Sequence, residues 1–237
     1  MSKRILSLAL AIFLLLSLSI LSACDDSSPV STAGGNQSSS DPAVNAIRNG
    51  ALDFYPSKTL GKALSEFLTN IKWESLVADD EFTYVNVSGG ILYNDEPATA
   101  VVQYRLNDDD TFEFYAIEID GGVHGFTTYF QLIVLSFEDE IVSIVKDGAL
   151  YDYPEQTLGK AFGNFFGNIK WEVVAGSDLV VYVNVSGGIL YGDEEATALL
   201  QYQVDTIDLS FIYNAFEING VGQSDNMYYE LIETIFE

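Results

Sequence analysis

Hydrophobic positions along this chain follow two alternating periods. Apolar side chains recur every three to four residues over 60–71 and again over 158–169, which predicts an amphipathic helix in each segment. Thr59 and Thr157 precede these segments, where a helix N-cap is expected. The apolar residues are Leu60, Ala63, Leu64, Phe67, Leu68 and Ile71 in the first helix, and Leu158, Ala161, Phe162, Phe165, Phe166 and Ile169 in the second.

Other helical patterns lie before and after these segments. Short patterns at 44–47 and 141–145 run up to Gly50 and Gly148, which predicts short helices that each end with a glycine C-cap. A closing helix is predicted later in each half of the chain. Its apolar face is Tyr129, Leu132, Ile133 and Phe137 in the first half, and Tyr228, Leu231, Ile232 and Phe236 in the second.

Between these helices the period changes to two, which is typical of strands. Strands are predicted at 73–77, 82–87, 98–106 and 112–119, with turns at 94–97 and 107–110. Gly89 and Gly90 interrupt a pattern that continues to Tyr93. A glycine pair inside a strand predicts a bulge or a bulky neighbour on the backbone, and Trp73 is the candidate neighbour.

These elements occur twice. Between Gly50 and Tyr104, 34 of 55 positions match the residue about 98 positions later, which indicates a tandem duplication. We therefore predict an α+β fold of two tandem homologous domains, at 42–138 and 139–237. Each is expected to be a roughly four-stranded antiparallel sheet, with an amphipathic helix before it and a helix after it.

The first 23 residues are typical of a secretory signal peptide. Lys3 and Arg4 precede an apolar run from Ile5 to Ile20, and the run is slightly short for a membrane span. The following Leu-Ser-Ala-Cys at 21–24 resembles the lipobox of bacterial lipoproteins. The resemblance implies cleavage before Cys24, a diacylglycerol on its thiol, and a lipid-anchored protein on the extracytoplasmic face of the cell membrane. An ordinary cleaved signal, or an uncleaved anchor, is the alternative.

Residues 24–41 contain the lipidated Cys24 and an almost wholly polar segment, which predicts a disordered linker. Cys24 is the single cysteine, so the sequence predicts neither a disulfide framework nor a cysteine metal site. Lys and Arg number 10 against 35 Asp and Glu, for a formal charge of −25. Such a charge repels nucleic acid, while a basic partner or divalent cations are compatible with it.

Few residues suggest chemistry. His124 is the single histidine and is predicted to lie in a loop. The carboxylate groups Asp95-Glu96 and Asp193-Glu194-Glu195 are predicted to be solvated turns. The run 107–110 could be read as a calcium loop, but position 6 would be Phe112 where Gly is required, so an acidic turn is favoured. We predict no catalytic residue, no metal and no cofactor.

Four aromatic residues are the candidates for ligand contact: Trp73, Trp171, Tyr93 and Tyr191. The alternative is that they are half-buried sheet residues. The repeat resembles extracytoplasmic repeat domains of bacterial lipoproteins and, in element order alone, the β-lactamase-inhibitor-protein-like fold. The function predicted is a non-enzymatic binding module for a protein or a small molecule. A hydrolase that uses acidic residues, or a structural spacer, is the alternative.

Overall fold

The computed structural model describes residues 41–77, 82–176 and 179–237. The signal peptide, Cys24 and nearly all of the predicted linker lie outside these ranges. The helices are α1 Pro42–Asn49, α2 Leu60–Phe67, α3 Phe126–Ser136, α4 Glu138–Lys146, α5 Leu158–Phe165 and α6 Asp225–Phe236. None of these helices is both long and apolar enough to cross a bilayer.

Most of the described chain is antiparallel sheet. The strands of the first half are β1 Ala51–Leu52, β2 Tyr55–Thr59, β3 Thr69–Val77, β4 Thr83–Tyr93, β5 Glu96–Leu106, β6 Phe112–Ile119 and β7 Gly122–His124. Those of the second half are β8 Ala149–Leu150, β9 Tyr153–Thr157, β10 Gly167–Ala175, β11 Val181–Tyr191, β12 Glu194–Asp205, β13 Ser210–Ile218 and β14 Val221–Gly222. The predicted mixture of helices and antiparallel sheets is confirmed.

Each half of the chain contributes one larger sheet in which neighbouring strands follow the chain order. One sheet is β3-β4-β5-β6-β7 and the other is β10-β11-β12-β13-β14, while β1-β2 and β8-β9 are separate two-stranded pairs. Each larger sheet therefore has five strands, one more than the roughly four that the sequence predicts. The missing strands are β7 and β14, and His124 lies in β7 rather than in the predicted loop.

Contacts group the described residues into two compact units. One contains residues 41–49 and 70–124, and the other contains 50–69 and 125–237. The segments 50–69 and 125–138 thus group with the second unit, although the sequence assigns them to the first repeat. The division into two tandem homologous domains stays a prediction.

Polar side chains begin the helices as the sequence predicts. The Thr59 hydroxyl accepts a hydrogen bond from the Lys62 backbone N–H at 3.3 Å, and Thr157 accepts one from Lys160 at the same distance. The helices end earlier than predicted, at Phe67 and Phe165 instead of residues 71 and 169. The reason is local: the cap residues Leu68 and Phe166 are extended, and strands β3 and β10 follow at once.

The two short helices end without the predicted glycine caps. Helix α4 is capped by Asp147 in a right-handed conformation, and neither Gly50 nor Gly148 has a positive φ. Gly148 is required for a different reason, since a Cβ there would overlap the ring of Phe211. Its carbonyl accepts the Leu158 N–H at 2.8 Å, as the Gly50 carbonyl accepts that of Leu60.

Tight turns fix the strand register. Asn94 and Asp95 have φ of 52° and 65°, and Gly192 and Asp193 have φ of 61° and 68°. Positive φ at both central residues is the conformation of type I′ hairpins, whose twist matches that of the strands. The turns into β7 and β14 are of the same kind, at Asp120-Gly121 and Asn219-Gly220.

A close approach of side chain to backbone holds the second sheet to the end of helix α5. A Cβ added to Gly187 would lie 2.6 Å from the Cβ of Phe166, so Phe166 packs directly on the bare strand. The predicted close approach is thus observed in the second repeat, but the neighbour is Phe166 rather than the tryptophan of the adjacent strand. Phe166 is itself buried and contacts the ring of Phe162 edge-on at 5.4 Å.

We expect Gly187→Ala to lower the free energy of unfolding by about 1–3 kcal/mol, because the new methyl group overpacks this contact. Gly163→Ala is the control, since a Cβ there meets nothing within 4 Å. Alanine in the α5 helix is expected to raise stability by up to about 1 kcal/mol. Urea unfolding of the three proteins measures both effects. Equal stability of Gly187→Ala and the parent would contradict the packing argument.

Candidate functional site

In the second repeat, the two aromatic candidates lie far apart along the sheet. Trp171 is half-buried and stacks on Phe162 with ring centroids 6.2 Å apart, while Tyr191 is 51% exposed. Trp171 pairs with Val185 in the sheet, six residues from Tyr191 along β11, or roughly 20 Å at the rise of a strand. In the first repeat Trp73 is half-buried on β3, and Tyr93 lies edge-on to His124 at 5.5 Å.

Some polar residues are identical in the two repeats because they form the same hydrogen bond within each sheet. The Gln103 side-chain amide donates to the Asn86 side-chain oxygen at 2.8 Å, and Gln201 donates to Asn184 at the same distance. In each case the two residues face one another on neighbouring strands. A hydrogen-bonded side-chain pair across neighbouring strands stabilises a sheet, so the identity at these positions has a structural cause that involves no ligand.

The second sheet extends this pairing to a third strand. The amide of Asn214 donates to the Gln201 side-chain oxygen at 2.6 Å, so three carboxamides form a ladder across β11, β12 and β13. Asn214 lies at a register shift between β12 and β13. The equivalent residue of the first repeat is Tyr115, whose ring contacts Tyr84 edge-on at 4.8 Å.

The acidic residues are turn residues. Asp95 and Asp193 occupy hairpin turns, and Glu96 and Glu194 follow them as exposed first residues of strands. At the turn after β5, Asp109 accepts hydrogen bonds from both the backbone and the hydroxyl of Thr111.

The residues of the calcium interpretation are not arranged as a cation site. Glu118, which would be position 12 of a calcium loop that begins at Asn107, lies on β6, where burial raises the pKa of its carboxyl. Over residues 41–77, 82–176 and 179–237, no group of three or more His, Cys, Asp or Glu side chains could hold a metal ion.

A groove in the second repeat is lined by both polar and apolar residues. Its floor is a row of residues on three neighbouring strands: Gly167 pairs with Gly188, and Gly188 pairs with Thr197. Two facing glycines leave the backbone bare, because neither carries a side chain above the sheet. The pairing of β10 with β11 is irregular between Gly167 and Lys170, and Asn168 there has a φ of 52°.

Polar side chains line this groove, whose cavity volume is about 1020 Å³. Asn219 is fixed at one side of the groove by two hydrogen bonds to Thr197. Its side-chain oxygen accepts the Thr197 backbone N–H at 2.9 Å, and its own backbone N–H donates to the Thr197 carbonyl. A cation, Lys170, and a carboxylate, Glu195, are both present. The lining residues are Phe165, Gly167, Asn168, Lys170, Ser186, Gly187, Gly188, Ile189, Leu190, Glu195, Ala196, Thr197, Asn219 and Thr234.

None of the four predicted aromatic residues lines this groove. The sequence signal that points to it is the glycine pair of Ser-Gly-Gly-Ile-Leu-Tyr, which the pattern identified only as a break in a strand. A groove of this volume lies at the upper end of the range for small-molecule sites. In comparisons with protein-family models, with curated proteins and with solved structures, nothing matched this chain.

A second polar cluster, in the unit of residues 50–69 and 125–237, surrounds a buried cation. The Lys58 ammonium contacts Glu66 at 2.7 Å, Glu140 at 3.3 Å and the Ser136 carbonyl at 3.4 Å. Burial alone would lower the pKa of Lys58, but the hydrogen bonds to the two carboxylates outweigh it and raise the pKa. A lysine held protonated in this way is a structural cation rather than a nucleophile.

Tyr55 packs beside this cluster, and its hydroxyl makes the stability of the fold depend on pH at alkaline values. Its ring stacks on Phe137 at 4.4 Å, and desolvation raises the pKa of its hydroxyl to about 12. Below pH 10 the hydroxyl is protonated in both states. Between pH 10 and 12 the unfolded chain alone releases the proton, so stability is lost as the pH rises through this window.

We expect Tyr55→Phe to flatten the dependence of unfolding free energy on pH between pH 10 and 12. The effect is at most about 2.7 kcal/mol, the free energy that corresponds to a pKa difference of about 2. Urea unfolding at pH 9, 10, 11 and 12 measures it. If the parent and Tyr55→Phe lose stability in parallel across this range, the hydroxyl of Tyr55 is not the group responsible.

Proposed function

We propose that this protein is a lipid-anchored bacterial lipoprotein of the extracytoplasmic membrane face, and that it is a non-enzymatic binding module made of two tandem homologous repeats. The groove over Gly167 and Gly188 is the binding site. One observation carries this proposal: a bare backbone floor, polar walls and ligand-sized volume occur together where the two repeats share the sequence Ser-Gly-Gly-Ile-Leu-Tyr.

The chemistry of the walls suits a polar ligand with hydroxyl or amide groups. Ser186, Thr197 and Asn168 offer side-chain donors and acceptors, while Lys170 and Glu195 offer one charge of each sign. Lys170 pairs with Ser186, and Glu195 pairs with Leu190 four residues further along β11, or roughly 13 Å away. A sugar or a zwitterionic peptide fits such a distribution better than a strongly charged anion.

Binding is favoured over hydrolysis by the positions of the acidic residues. Asp193 and Glu194 are exposed at a hairpin tip, as are Asp95 and Glu96. Glycoside hydrolysis requires two carboxyl groups on opposite sides of a cleft, about 5–10 Å apart. Neighbouring turn residues exposed to water do not provide that arrangement.

We expect Gly188→Val to abolish ligand binding while the fold is retained, because the side chain fills the groove floor and its Cβ has ordinary contacts at 3.5 Å or more. Thermal unfolding of the full chain with mono- and disaccharides, amino acids and short peptides identifies the ligand class, since a ligand that binds the native state raises Tm. Gln203→Val, further along β12, is the matched control. The proposal fails if no compound raises Tm and a pull-down from native envelopes recovers nothing above background, or if Gly188→Val binds normally.

We expect Cys24→Ser to release the protein from the membrane, because the serine cannot carry the thioether-linked lipid. Fractionation of expressing cells measures the location. Mass spectrometry of the parent should find a diacylated Cys24 as the N-terminal residue. A parent chain that begins at Met1 with an unmodified thiol would refute the anchor and leave the groove untouched.

A further inference from the structure

A second concavity lies apart from the proposed groove, in the compact unit of residues 50–69 and 125–237. It has a volume of about 340 Å³ and is formed by the β1–β2 turn, helix α4 and the β12–β13 turn. Its surface is mostly apolar. The lining residues are Phe54, Tyr55, Pro56, Ser57, Asp139, Glu140, Ser143, Ile144 and Leu209.

Tyr55 organises the floor of this cavity. Its ring stacks on the fully buried Phe137, with ring planes 18° apart, and the Thr206 side chain hydrogen-bonds its hydroxyl. One residue therefore joins strand β2, the residue between α3 and α4, and the β12–β13 turn. The second repeat has the same stack between Tyr153 and Phe236, at 4.4 Å.

The walls of the cavity expose large apolar side chains. Phe54 is 52% exposed and Leu209 is 63% exposed, and Ile207 of the same turn is also exposed. Singly scattered apolar side chains are common on protein surfaces, but apolar residues that rim a concavity indicate a contact site.

Leu209 also has an unfavourable backbone. Its φ of 52° is left-handed, a conformation that Asn, Asp and Gly tolerate and that a leucine side chain disfavours. The equivalent residue of the first repeat is Asp110, with a φ of 63°. The second repeat thus has an exposed leucine at a left-handed position where the equivalent turn of the first repeat has an aspartate, which tolerates that conformation. Leu179 shares this conformation at 65° and lines neither of the two concavities.

The edge of the cavity is acidic. Glu138, Asp139 and Glu140 form the first turn of α4, and the chain carries a formal charge of −25. Acidic residues at a helix N-terminus stabilise the helix, and here they also give the apolar cavity a negative rim. The net charge opposes association of two copies of this chain and favours a cationic partner.

We propose that this cavity binds an apolar side chain of a basic polypeptide segment. Phe54 and Leu209 contact that side chain, and Asp139 attracts the cationic residues that flank it. The occupant is a partner protein that presents Leu or Phe between Lys or Arg residues. This site is independent of the groove over Gly167 and Gly188, so either can fail without the other.

The probe is a fluorescein-labelled hexapeptide with a central Leu-Phe pair and two Lys on each side, titrated with the full-length chain. We expect saturable binding by fluorescence anisotropy that weakens as salt rises from about 20 mM to about 300 mM. Leu209→Asn should weaken binding about tenfold or more, because it removes an apolar wall, while the left-handed turn becomes easier to form. Asp139→Asn should weaken it about two- to fivefold at low salt.

Leu179→Asn is the matched control, since it makes the same change at a left-handed leucine outside the cavity, and it should leave binding unchanged. Equal binding of a peptide with Glu in place of Lys would overturn the proposal, as would normal binding by Leu209→Asn. Absence of saturable binding would also overturn it. If 1-hexanol protects the full-length chain against unfolding but the peptide does not bind, the cavity accepts small apolar molecules instead.

Discussion

The contact of Phe166 with the bare backbone of Gly187 is the constraint on which the second sheet and its groove depend. Because Gly187 carries no side chain, the end of α5 packs directly onto β11, and β10 begins immediately after Phe166. This places Gly167 opposite Gly188 and leaves the floor of the groove without side chains. A packing requirement on one face of the strand thus creates an open polar surface on the other.

The two sequence repeats share a framework and differ in the residues that it displays. The capping threonines, the hairpin turns and the stacks of Tyr55 on Phe137 and Tyr153 on Phe236 recur in both repeats. The displayed residues differ. Both sheets contain an Asn–Gln pair, but Tyr115 packs against Tyr84 in one sheet where Asn214 extends the pair to a third strand in the other. Asp110 in one turn corresponds to Leu209 in the other. The two repeats therefore offer different surfaces from one pattern of backbone contacts.

The sequence predicted those elements whose apolar period persists over many residues. Strand β6 at 112–119 and the closing helix α6 were predicted closely, because their alternation or helical period is unbroken. Helix α3 ends at Ser136, one residue before Phe137, the last residue of its predicted face. Strands β7 and β14 were missed since they are two or three residues long, and their signal was the Asp-Gly and Asn-Gly turns that precede them. The ends of α2 and α5 were placed too late because Ile71 and Ile169 continue the helical spacing after the backbone has become extended. The groove was not predicted, since it arises from glycines that face each other only once the register is known.

The carboxamide ladder of Asn184, Gln201 and Asn214 determines how this sheet responds to the pH of its surroundings. Amide side chains neither gain nor lose a proton in the range where carboxylates and histidines titrate. A sheet face held together by three such groups keeps its hydrogen bonds in acidic and in alkaline surroundings alike. That insensitivity to pH preserves the shape of the surface beside the groove.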